Sequence, residues 1–154
     1  MSAESESPVR PSPTAARGAL VRRGSVIIIV LILVESVIGQ YVASYVTVPK
    51  ADHDAGLGSA ISNGPATLSI HAVLGLVLAL GALNVVVQTI RARHWVATGL
   101  SAVGLFTVAW ASVAGTQFTD SGDEADSVAM AVMTGIALLC YAAILYVLRS
   151  RSER

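Results

Sequence analysis

The sequence holds a single cysteine, Cys140, which rules out an internal disulfide, and its place within an apolar run marks it as a small packing residue. Charge is also scarce. Asp, Glu, Lys and Arg make up 13% of the 154 residues, about half the roughly 25% of an average soluble domain. The few charges balance at 10 basic and 10 acidic, so the basic surface that nucleic-acid binding requires is missing. No P-loop, nucleophile elbow or paired-cysteine metal motif is present. Covalent catalysis is therefore not expected, and the reading leans away from an enzyme.

Long apolar runs are what the chain has in quantity. Hydrophobic residues make up 54% of it, with a mean hydropathy of +0.68. A hydrocarbon layer ~30 Å thick is crossed by about 20 helical residues rising 1.5 Å each. Four runs meet that length, 25–48, 67–90, 95–115 and 127–148, which predicts an all-α membrane domain over residues 25–148. Residues 1–24, rich in Ser, Ala and Arg with Pro8, Pro11 and Pro13, read as a disordered tail. They do not read as a cleaved signal peptide, because the apolar run that follows is too long. Residues 149–154 form a second short tail. Residues 49–66 have the composition of a polar loop, and 116–126 form an acidic one in which Asp126 or Ser127 can cap the last helix. Acidic Asp120, Asp123 and Glu124 suit the start of that helix.

Orientation follows from the arginines. Nine of them lie before span one, between spans two and three, or after span four, which leaves Lys50 alone on the opposite side. The positive-inside rule then places both termini in the cytoplasm of a multi-pass cell-membrane protein, an up-down-up-down four-helix bundle. Tyr41, Tyr45 and the pair His94-Trp95 suit the membrane boundaries.

Polar residues inside the spans are the candidates for function, since an ionisable group there is costly and normally faces the bundle interior. Glu35 lies mid-span, in line with Gly39 and Ala43 at four-residue spacing and with Gln40 beside it. Small residues in such a row let helices approach closely. Gln40, Thr107 or a neighbouring helix are the expected partners of the carboxylate. His71 opens span two and shares a face with Gly75, Leu78 and Ala82. Asp52-His53-Asp54 offers metal-capable side chains in the first loop, but adjacent residues rarely converge on one ion, and a polar loop near water explains them.

Spans two and four align, His71-Ala72-Val73-Leu74 against Met130-Ala131-Val132-Met133, so the chain reads as two helical hairpins in parallel repeat. Over Val34 to Leu148 it resembles one four-helix half of the haem A synthase family. The residues that carry the likeness are Gly39-Gln40 (in reversed order), Asp52-His53-Asp54-Ala55-Gly56, and Ile70-His71-Ala72. In that family each half can hold haem between a histidine on its second helix and one on its fourth. His71 matches the first, and Met130 stands in place of the second. The family's catalytic acidic residue has no counterpart among Asp52 and Asp54, and the chain supplies one half only, so haem A synthesis is not implied.

Three readings follow. The first is a b-type haem bound between helices two and four by His71 and Met130, with Gly75 and Thr134 leaving room for the macrocycle, for electron transfer or haem handling. The second is a non-catalytic accessory subunit that packs against a larger membrane complex or against itself. The third is a proton-coupled transporter using Glu35, since Glu35-Ser36-Val37-Ile38-Gly39 is similar to the first helix of small multidrug exporters. The nine-to-one charge bias and the long first loop speak against that third kinship.

Overall fold

The computed structural model describes residues 13–45, 65–121 and 124–152. It is all-helical: α1 (Pro13–Tyr45), α2 (Ala66–Arg91), α3 (Trp95–Ser121) and α4 (Glu124–Ser152). Each helix is long and apolar enough to cross a membrane. The chain has the character of a multi-pass membrane protein.

α1 packs on α2 and α4, and α3 packs on the same two helices, which closes a ring of four. The inward positions repeat every three and four residues. On α1 they are Val21, Ser25, Ile28, Ile32, Glu35, Gly39 and Val42, all buried. Leu78, Ala82, Val85 and Thr89 continue the pattern on α2, and Ala137, Tyr141, Ile144 and Leu148 on α4. A 3.5-residue period is the seam of knobs-into-holes bundles. Glycines set the approach of the helices. A Cβ on Gly81 would lie 2.8 Å from Ile28 Cδ1, and one on Gly104 would lie 2.8 Å from the Tyr141 ring.

α1 begins at Pro13, three turns before the expected span, so residues 13–24 extend the helix rather than form a tail. Proline is well placed in a first helical turn, and the Ala- and Arg-rich stretch after it favours helix. Val21 is fully buried, and Arg17 Nη1 donates to the Arg91 carbonyl at 3.5 Å, which ties this extension to the end of α2. α3 likewise runs on to Ser121, through half of the expected acidic loop.

α2 and α3 are joined by Ala92–His94. Arg93 has φ 55°, its N–H bonds Ile90 O at 3.0 Å, and His94 N–H bonds Thr89 O at 3.2 Å. Those two bonds with a left-handed residue between them are a Schellman C-cap. His94 O then accepts from Thr98 N at 2.8 Å and opens α3. Just inside, Thr89 Oγ1 and Ser101 Oγ, both fully buried, share a hydrogen bond of 3.1 Å.

Candidate functional site

At the end of the bundle away from that turn, Glu35 and His71 face each other across α1 and α2. His71 Nδ1 lies 3.0 Å from Glu35 Oε1. The two atoms are close enough for charge pairing but are not aligned as a hydrogen bond, since Nδ1 has no such partner. Glu35 Oε2 is buried with no hydrogen-bond partner among the described residues. The side chains are 11% exposed for Glu35 and 21% for His71, so the imidazole is the more accessible of the two.

Two glycines make the pairing possible. Glu35 Oε1 lies over Gly75, 3.3 Å from where its Cβ would be, and the His71 ring lies over Gly39, with Cε1 2.9 Å from the corresponding point. The arrangement is reciprocal, because each helix carries an ionisable residue and, four residues on, the glycine that receives its partner. The sequence marked all four residues but not this match, which depends on the register between two helices. The common four-residue step in Glu35/Gly39 and His71/Gly75 was the available signal.

Of the expected partners of Glu35, Gln40 is exposed and donates from Nε2 to Ser44 Oγ at 3.3 Å, and Thr107 donates to Gly104 O at 3.0 Å. The face of Gly75, expected as open floor for a macrocycle, is covered by the Glu35 carboxylate. Met130 is half-buried on α4, with Sδ 3.4 Å from the Cβ position of Gly115 on α3. It stands to Gly115 as His71 stands to Gly39. Thr134 Oγ1 donates to Met130 O at 2.7 Å, so its hydroxyl is satisfied within α4. Asp52, His53 and Asp54 lie outside the described residues, among which no group of three metal-capable side chains occurs.

Toward the turn the interior is closed by Ile28, Ile32, Leu78, Val85, Tyr141 and Ile144, each at most 5% exposed. The Glu35–His71 pair therefore sits above an apolar plug. An ionisable pair held this way can fix an imidazole, bind a cation or hold a proton.

Comparisons with family models, with curated proteins and with solved structures all end without a match. The site must be read from its own chemistry.

Proposed function

We propose that the chain is a cell-membrane protein with both ends cytoplasmic and its helices arranged up-down-up-down, and that it binds a b-type haem through His71 for electron transfer or haem handling. The observation that supports this is the carboxylate of Glu35 beside His71 Nδ1. Metal-bound histidines characteristically present their second ring nitrogen to a carboxylate or carbonyl, which fixes the ring and raises its basicity. With Glu35 in that role, after a turn of the imidazole that aligns Nδ1–H with Oε1, Nε2 would be the ligating atom. In the second hairpin the Met130 thioether occupies the place that matches His71, and a thioether is an established axial ligand. His71 and Met130 would hold the group, while Gly75 serves to seat Glu35.

When bound, haem would supply one-electron redox chemistry, with a higher potential under a methionine than under a second histidine. The protein's own part is to hold the imidazole, to orient it through Glu35, and to keep water from the cytoplasmic side with the plug of Ile28, Ile32 and Tyr141.

The test is the absorption spectrum of the protein purified in gentle detergent from haem-replete cells. A Soret band is expected, lost in His71→Ala and retained in Met130→His at a lower midpoint potential. Glu35→Gln is expected to weaken haem affinity about 10- to 100-fold. A colourless native protein overturns the reading.

The orphaned Oε2 atom favours a second reading, in which Glu35 exchanges a proton for a cation. That predicts pH-dependent cation binding by the native protein that Glu35→Gln abolishes. Unchanged binding in the variant would retire it.

A further inference from the structure

Polar side chains on the lipid-facing surface of the bundle mostly look after themselves. Ser36 Oγ donates to Ile32 O at 2.7 Å, and Ser112 Oγ donates to Val108 O at 3.0 Å. Gln40 bonds Ser44 within α1. Asn84, exposed on α2, has no hydrogen-bond partner among the described residues.

Its depth makes that costly. With 26 residues, α2 is about 39 Å long, so a centred hydrocarbon layer of about 30 Å leaves some three residues outside at each end. Asn84 stands seven residues before Arg91, the last residue of α2, or about 10 Å in, and falls several ångströms inside the apolar layer. Its side chain is too short to reach the headgroups as a lysine would. A carboxamide in hydrocarbon lacks water as well as protein partners, and its donors and acceptor are left unsatisfied.

We infer that the outward face of α2 is a contact between two copies of this chain, centred on Asn84. The inference is independent of the haem reading but uses the orientation read from the arginines. Copies inserted the same way can be related by a two-fold axis along the membrane normal. Such an axis preserves depth, so a residue meets its own counterpart. A carboxamide both donates and accepts, and two Asn84 side chains satisfy each other across the axis. No partner of different sequence is needed to complete the contact.

The surrounding face fits a helix pair. Val73, Val77, Leu80, Asn84, Val87 and Arg91 follow one another in steps of four and three. That spacing alone would hold for any face opposite an inward seam; what sets this one apart is Asn84 in the position after Val77 and Leu80. Valine precedes leucine, and one asparagine occupies a position of the Val77 type. In parallel coiled coils a lone asparagine there fixes register and favours pairs. Val73, Val77 and Leu80 are 44–59% exposed, free to be covered.

The test is disulfide trapping of the full chain in native membranes, in a Cys140→Ala background. Leu80→Cys is expected to form a dimer with itself under mild oxidation. Leu139→Cys, on the lipid face of α4 at 69% exposure, is expected to remain monomeric. Adding Asn84→Leu should weaken association roughly tenfold, the scale of interhelical hydrogen bonds in bilayers. Asn84→Gln, which keeps the amide, should restore most of it. Trapping unaffected by Asn84→Leu overturns the proposal, as does trapping at Leu139→Cys alone, no trapping at either site, or a product joining Leu80→Cys to a different protein.

Discussion

The first hairpin, α1 with α2, and the second, α3 with α4, share a frame but differ in what they place on it. Val21, Ser25, Ile28, Ile32, Glu35 and Gly39 on α1 correspond in spacing to Ala97, Ser101, Gly104, Val108, Ala111 and Gly115 on α3. His71 and Gly75 correspond to Met130 and Thr134. In the lower half the two hairpins trade large for small, since Ile28 of α1 fills the space at Gly81 whereas Gly104 of α3 yields it to Tyr141. In the upper half both seat a side chain on a glycine, His71 on Gly39 and Met130 on Gly115. Only the first adds an ionisable pair. Close helix approach is therefore a property of the frame, and the candidate chemistry belongs to one hairpin.

That contrast can be broken at several points. The largest effect is expected in the second hairpin. Tyr141→Ala removes the largest fully buried side chain and should cost about 3–5 kcal/mol, measured as a lower unfolding midpoint in detergent.

Next is the Glu35–His71 pair. Glu35→Ala alone leaves His71 without its carboxylate, and losing one member of a buried pair costs about 3 kcal/mol when the site is dry. The partial exposure of both side chains brings the expectation nearer 1–2 kcal/mol. Glu35→Ala combined with His71→Met and Gly75→Thr copies the second hairpin onto the first. That triple variant should recover most of the loss, because apolar replacement of a whole pair is commonly neutral or better. A triple variant as unstable as Glu35→Ala would show that the hairpins do not share a frame.

The smallest effects separate the two glycine seats. Gly39→Ala puts a methyl group 2.9 Å from a rigid imidazole carbon and should cost about 1 kcal/mol, shifting His71 away from Glu35. Gly115→Ala meets a flexible thioether at 3.4 Å and should change stability by under about 0.5 kcal/mol. Equal costs would mean that the two seats are alike.

Much of the fold was legible because length and hydropathy are local properties, so each of the four spans could be read from its own residues. The helix ends were less so. Residues 16–24 bury little apart from Val21, and their anchoring through Arg17 depends on where α2 ends. Glu35 and His71 were each recognisable as out of place in hydrocarbon, but their partnership needed the rotation and register of two helices, which no single stretch encodes. Gly75 shows the same limit. As a small residue it promised space, and the neighbouring helix supplied the group that fills it.

The cap at Arg93 carries a mechanical consequence. It is bonded to the end of α2, followed directly by α3, and braced from within by Thr89 with Ser101 and from α1 by Arg17. Three of the four rods are thereby tied at one tip. Sliding or turning of α1, α2 and α3 against one another is resisted there, and that resistance preserves the register that sets His71 beside Glu35.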